Sequence, residues 1–322
     1  MVFLSIRGLD KTYPGDIVAL HDLSLEIQKG ERWAVIGSSG SGKSTLLRLI
    51  AGLEAQDAGE VLLDGEKIKN SNEKLVAGYD AIQLVRQDNG LYPHSTVAEN
   101  IRRPLLQYDK TYAAERLESL LALFGLLHKR DAYPRQLSGG EQQKVAIARA
   151  LSLEPEVLLL DEPFNSLDSL QKRDLLDELN LIFRELELTL LMVTHDIQDA
   201  LLLTDRLCVV SPGGKLVRQG TIREIHQHPQ SAYVAGFFGP LNAVPGREGY
   251  YLRPADVTVP EGKGKATGTV LINRYFPEHD LLTVAVAGAA QPWQVADPQR
   301  GFSQGQTIQL TWDESRVLHL PA

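Results

Sequence analysis

Gly37-Ser38-Ser39-Gly40-Ser41-Gly42-Lys43-Ser44 constrains this chain more than any other stretch. It has the spacing G-x-x-x-x-G-K-[ST], with the apolar run Arg32–Ile36 before it and a helical pattern, Lys43–Ala51, after it. A strand, a glycine-rich loop and a helix in that order predict a phosphate cradle. Glycines let backbone N–H groups crowd around phosphate oxygens, and the helix start adds the positive end of its dipole. Lys43 can then reach the β- and γ-phosphates of a nucleotide, and the Ser44 hydroxyl can hold Mg²⁺. Gly52 closes the helix, since it tolerates the left-handed backbone of a helix stop.

A phosphate site can serve a nucleotide or a nucleic acid, and charge separates the two. The 322 residues carry 33 Lys+Arg against 41 Asp+Glu, a net charge of −8. An acidic chain does not gather phosphate backbones non-specifically, which argues against nucleic acid as the main partner. The single cysteine, Cys208, allows no internal disulfide and fits a reducing compartment. The apolar stretch Leu120–Leu127 is far shorter than the roughly 18 residues of a spanning helix. Arg7, Asp10 and Lys11 interrupt the N-terminus before a signal-like core forms. A cytosolic protein is expected.

Up to about Gly236, apolar runs alternate with helical stripes. Leu117, Leu120, Leu121 and Phe124 mark one helix over Tyr112–Phe124, and Leu175, Leu179, Ile182 and Leu186 mark another over Leu170–Leu186. Val157–Leu160 and Leu190–Val193 read as central strands buried on both faces, and Glu60–Leu63 with Asp64-Gly65 as a hairpin. This alternation predicts an α/β domain with a largely parallel sheet. After Gly236 the chain shows Gly-Pro punctuation and short β-like runs over Thr267–Tyr275, Leu281–Ala287, Thr307–Trp312 and Arg316–Leu320. A small all-β domain is expected there. With 7 basic and 8 acidic residues, it has no basic footprint either.

Two further segments carry chemistry. Asp161-Glu162 follows a buried strand, which suits a carboxylate for Mg²⁺ (Asp161) beside a general base for an attacking water (Glu162). Ser138 with Glu141 forms a capping box that opens a helix through Val145, Ala148 and Leu151. Its first two helical residues are Gly139 and Gly140, although a helical glycine costs up to ~1 kcal/mol against alanine. Bare N–H groups that must approach an anion give that cost a purpose.

Leu137-Ser138-Gly139-Gly140-Glu141-Gln142-Gln143, lying between the cradle and Asp161-Glu162, resembles the signature motif of ATP-binding cassette (ABC) ATPases. Gln87 resembles that family's Q-loop glutamine, and Leu91-Tyr92-Pro93-His94 through Val97-Ala98-Glu99-Asn100 the sequence after it. Ser166-Leu167-Asp168 is similar to the D-loop, His195 to the switch histidine, and Tyr13 to the aromatic that stacks on adenine. The resemblance implies an α/β P-loop NTPase cassette with a helical subdomain over residues 1–236. It further implies a small β-barrel-like, oligomer-fold (OB)-like regulatory or accessory domain over residues 237–322.

The resemblance also implies a mechanism. ATP bound at Gly37–Thr45, through Gly37, Ser38, Ser39, Gly40, Ser41, Gly42, Lys43, Ser44 and Thr45, would meet Ser138, Gly139 and Gly140 of a second cassette. Glu162 would polarise water and His195 would contact the γ-phosphate. Asp168 would link the two sites, and Ser44, Gln87 and Asp161 would hold or report Mg²⁺. One cassette per chain implies a homodimer or a heterodimer with a paralogue.

Val217-Arg218-Gln219-Gly220-Thr221, Tyr233–Gly239 and Leu252-Arg253-Pro254-Ala255-Asp256-Val257 resemble bacterial importer subunits for polyamines, ferric iron, sulfate, molybdate or sugars, with a lean to the first two. Such a subunit works with a separate membrane permease and indirectly with a solute-binding protein, as a peripheral protein on the cytoplasmic face of the membrane. Between Pro245-Gly246 and Leu252 this chain is shorter than that pattern, so its last domain is expected to be trimmed. The alternative is a soluble ABC ATPase acting on ribosomes or DNA. It is disfavoured because the chain has no second cradle, sustained heptads or basic stripe.

Overall fold

A computed structural model describes residues 2–74, 76–165 and 167–321. Ser166, expected in the segment before Asp168, lies outside the described residues. The chain divides into two compact units, residues 1–222 and 223–322. The division falls at the first residue of the short helix Ile222–Gln227, so the rest of that helix and the helix Ala232–Gly236 group with the second unit.

In the first unit the strands are β1 (Val2–Tyr13), β2 (Ile17–Gln28), β3 (Arg32–Ile36), β4 (Ala58–Leu63), β5 (Glu66–Lys67), β6 (Ile82–Val85), β7 (Val157–Asp161), β8 (Thr189–Thr194), β9 (Arg206–Val210) and β10 (Leu216–Thr221). The helices are α1 (Lys43–Ile50), α2 (Val97–Arg102), α3 (Lys110–Leu123), α4 (Gly139–Leu151), α5 (Ser169–Glu185) and α6 (Ile197–Leu203). A six-stranded sheet runs β10-β9-β3-β8-β7-β6. Its pairs from β9 through β6 are parallel, and β10 closes the edge antiparallel to β9. Val157–Leu160, Leu190–Val193 and Ala34–Ile36 are fully buried, as strands covered on both faces require. A second, antiparallel sheet, β2-β1-β4-β5, shares the core with α1. Asp64 and Gly65 turn β4 into β5 with φ of +47° and +82°, the left-handed pair that a two-residue hairpin needs.

The expected helices form, with boundaries shifted by a few residues. Leu117, Leu120, Leu121 and Phe124 are buried, as are Leu175, Leu179 and Ile182. Leu186 falls just past the end of α5 and is exposed, so the stripe ends one turn earlier than its spacing suggests. Helices α2, α3 and α4 pack together, and Arg116 of α3 donates to the Leu151 carbonyl at the end of α4 at 2.7 Å.

The second unit holds a five-stranded antiparallel sheet, made of Val257–Thr258, Thr307–Trp312, Ala266–Tyr275, Asp280–Val286 and Trp293–Asp297 in spatial order, and a smaller three-stranded one. Trp293, Val295, Leu282, Val284 and Leu310 form its core. Trp293 packs edge-on to Trp312 at 5.5 Å and donates its indole N–H to the Ala243 carbonyl at 2.9 Å. The run expected over Arg316–Leu320 shrinks to a strand at Leu318–His319, because Glu314–Arg316 coils into a 3-10 turn capped by Asp313.

Candidate functional site

Parallel strands deliver their carboxyl ends to one edge, and a crevice at that edge is where open α/β sheets bind ligands. Here β3 runs into the cradle, β7 ends in Asp161-Glu162, β8 leads to His195 and β6 leads to Gln87. The register fixes this, with Ile36 beside Thr194, Val193 beside Asp161 and Leu160 beside Val85. Four segments far apart in sequence therefore meet because their strands share a direction.

The cradle has little slack. Gly42 has φ +83°, and a Cβ there would lie 1.9 Å from the Ala19 carbonyl oxygen. At Gly37 a Cβ would lie 2.4 Å from the Val210 oxygen and 2.6 Å from Ser41 Oγ. Ser39 and Gly40 form the exposed tip, while Ser41 Oγ is buried with no hydrogen-bond partner among the described residues. Lys43 is buried and curls back, its Nζ donating to the carbonyls of Gly37 at 2.9 Å and Ser38 at 3.0 Å. Burial lowers its pKa below the usual lysine value, against the opposing pull of Glu162 and Asp161.

Ser44 Oγ donates to Asp161 Oδ1 at 2.8 Å. Burial lifts the Asp161 carboxyl above the ordinary range, and repulsion from Glu162 adds to this, although Ser44, Arg48 and Lys43 oppose it. A hydroxyl and a carboxylate set side by side fit a hard divalent cation such as Mg²⁺. Ser44, Asp161 and Gln87 line one cleft of about 800 Å³, together with Arg48 and Leu84.

Glu162 follows β7 with φ +45°, a left-handed backbone that a non-glycine residue seldom adopts. Its N–H donates to the Val193 carbonyl at 2.9 Å, which holds the turn against β8. Glu162 Oε2 lies 3.1 Å from His195 Nδ1 and also accepts a hydrogen bond from Asn165. The two expected catalytic groups are thus in direct contact. Asp168 is exposed and caps α5, its Oδ1 accepting from the Gln171 N–H at 3.0 Å. Tyr13 is half-buried, and its hydroxyl bonds Thr45 Oγ1 at 3.2 Å and Arg48 at 3.3 Å, so the ring is anchored to the helix that begins in the cradle.

Ser138, Gly139 and Gly140 are not among the residues that line the cleft. The capping box is complete, with Ser138 Oγ accepting from the Glu141 N–H at 3.2 Å and Glu141 Oε2 accepting from the Ser138 N–H at 2.8 Å. Burial would raise the Glu141 carboxyl, but the bond from Ser138 and the ammonium of Lys129 outweigh it and leave it lowered. Ser138 is exposed, and a Cβ added at Gly140 would meet nothing within 4 Å. Packing within the described chain therefore does not demand that glycine.

Two further residues position the backbone around the site. Arg149 of α4 donates to the carbonyls of Gly90 at 2.7 Å and Asn89 at 2.9 Å, in the turn that follows Gln87. Asn100 of α2 is fully buried and bonds the backbone of Tyr92, Ser95 and Thr96. Asn100 lies within the stretch Val97–Asn100 that resembles the family, whereas Arg149 lies in no motif of the sequence.

This fold and site define a P-loop ATPase cassette. The ABC transporter family pattern matches residues 20–165. A sulfate/thiosulfate import ATP-binding protein of Halalkalibacterium halodurans is 41% identical over 248 residues, covering 75% of this chain and 68% of the relative. A spermidine/putrescine import ATP-binding protein of Thermotoga maritima is 39% identical over 241 residues, covering 74% of this chain and 64% of the relative. A solved cassette dimer in a post-hydrolysis state, bound to ADP and phosphate, superposes with a TM-score of 0.60 at 32% identity, covering 68% of this chain and 99% of that one. The chain belongs to the ABC transporter family, as one of its ATP-binding, ATP-hydrolysing cassettes.

Proposed function

We propose that this chain energises solute uptake through a separate membrane permease by hydrolysing ATP between two cassettes. One observation carries the reading. The cradle, Asp161, Glu162, His195 and Gln87 converge on one sheet edge, while Gly140 at the mouth of α4 faces open space and is not demanded by packing among the described residues. A site with an open face of this kind is completed by a second copy or a paralogue, whose Ser138, Gly139 and Gly140 N–H groups would face the γ-phosphate.

In this reading Gly37–Thr45 bind the phosphates, and Lys43 exchanges the carbonyls of Gly37 and Ser38 for phosphate oxygens. Ser44, Asp161 and Gln87 would hold Mg²⁺, which supplies charge neutralisation on the phosphates when bound. Glu162 takes up the proton of the attacking water, and His195 both orients Glu162 and contacts the γ-phosphate. Tyr13 presents its ring to the base, and Asp168 contacts the second cassette.

A groove of about 530 Å³ beside the Gln87 segment, lined in part by Leu53, Val76, Tyr79, Leu84 and Gln107, supplies a surface for the permease. Val76 is 72% exposed there. The chain would then work on the cytoplasmic face of the membrane, with a solute-binding protein as an indirect partner and residues 237–322 as an accessory, regulatory domain. Polyamine, ferric iron and sulfate are the solutes to assay in the assembled transporter.

The test is Glu162→Gln. It should bind ATP, hydrolyse it about 10²- to 10⁴-fold more slowly and accumulate as an ATP-held dimer in size-exclusion chromatography. Near-normal turnover would remove Glu162 from its role.

A further inference from the structure

We propose that Lys172 is a positioning residue that fixes His195, and through it Glu162, from the helix that Asp168 caps. The inference rests on the roles given above to Glu162 and His195.

Lys172 sits in the first turn of α5, where the helix dipole disfavours a cation. Its ammonium reaches across to the turn after β8, 2.7 Å from Asp196 Oδ2 and 2.6 Å from Asp199 Oδ1. Among the described residues it supplies the ion pair to both carboxylates. Asp199 is buried at 1% exposure and also accepts from Thr194 Oγ1 at 3.2 Å. Asp196 caps α6 through the Gln198 N–H at 2.9 Å, and its own N–H donates to Thr194 Oγ1 at 3.0 Å.

His195 lies between these anchored neighbours, yet its own side chain is 58% exposed and touches Glu162. Packing does not hold the imidazole in place, so its position is inherited from the backbone of Thr194 and Asp196. Lys172 is what ties that backbone to α5. The same lysine donates its backbone N–H to the Asp168 carbonyl at 2.9 Å. One residue therefore joins the segment read as the contact to the second cassette with the segment that carries His195.

A reacting group displaced by about 1 Å can cost on the order of a hundredfold in rate, and a looser tether costs less. Full-length Lys172→Met should lower kcat about ten- to a hundredfold, leaving the KM for ATP and the nucleotide affinity within about twofold. Lys172→Arg keeps a cation in reach of both carboxylates and should restore most of the rate. Because Lys172→Met strands a buried carboxylate, Lys172→Met with Asp199→Asn serves as the folded control, and it should be equally slow.

Lys172→Met combined with His195→Ala should turn over no more slowly than His195→Ala alone, since both changes break one path. Unchanged kcat in Lys172→Met, or losses that multiply in the double variant, would overturn the inference. So would a parallel loss of affinity and melting temperature in both methionine variants without rescue by arginine. Full turnover by His195→Ala would overturn the role of His195 itself, and the inference with it.

Discussion

Gly140→Ala separates what a glycine does for its own chain from what it does for a ligand. In an isolated chain the change should be harmless. The residue has an ordinary helical backbone, a Cβ would meet nothing within 4 Å, and alanine is favoured over a helical glycine by up to ~1 kcal/mol. For a domain of this size that amounts to a rise in melting temperature of about 2–4 °C at most. The assembled site should respond differently. A helical Cβ leans toward the helix N-terminus, so the new methyl group stands where a phosphate would approach the N–H groups of Gly139 and Gly140. Losing one hydrogen bond to a charged group costs about 1.5–3 kcal/mol, which is roughly ten- to 150-fold in rate. Thermal denaturation, nucleotide titration of the monomer and steady-state ATPase assays would show equal or higher stability, retained binding and slowed turnover. Full turnover, or a fall in stability, would refute the argument that this glycine serves a partner's nucleotide.

Gly42→Ala should be the opposite case, destabilising the fold by about 2–5 kcal/mol through the left-handed backbone and a Cβ 1.9 Å from the Ala19 oxygen. Gly40→Ala shares the positive φ of +78° but has open space around it, so urea denaturation should show a loss of only about 1–2 kcal/mol. Lys43→Ala is expected to weaken ATP binding or turnover, and unchanged values of both in a titration and a rate assay would sink the cradle assignment. Bonds to Lys265 and then Arg247 hold the Glu314 carboxyl down at about 2, so it stays ionised well below the ordinary glutamate range. Its folded pKa is depressed, so its contribution to stability is present above the ordinary value and is lost as pH falls through about 2. Glu314→Gln should flatten that part of the acid-unfolding curve.

The cradle can be read from the sequence because its residues are contiguous, and Asp161 and Glu162 are marked by the unbroken apolar run Val157–Leu160 before them, whereas His195 is marked only by its resemblance to the family's switch histidine. Other parts were illegible for physical reasons. The Trp293–Asp297 strand alternates faithfully, but one of its inward positions is Asp297, whose carboxylate is satisfied by the N–H groups of Gln299 and Gly301. A buried acid breaks a hydropathy pattern without breaking a strand. Strand β1 pairs with β2 through several register shifts, which scramble its two-residue period. Lys172 and Arg149 could not be singled out at all, since each finds its partners far along the chain.

The grip of Arg149 on the Asn89 and Gly90 carbonyls turns α4 into a lever. Arg149 lies ten residues beyond Gly139, roughly 15 Å along the helix axis. A tug on the turn after Gln87 that tilts such a rod by about 4° swings its far end by about 1 Å, a sizeable fraction of a hydrogen-bond length. Whatever pulls at one end of that rod is therefore felt at the other without any side chain in between having to change rotamer.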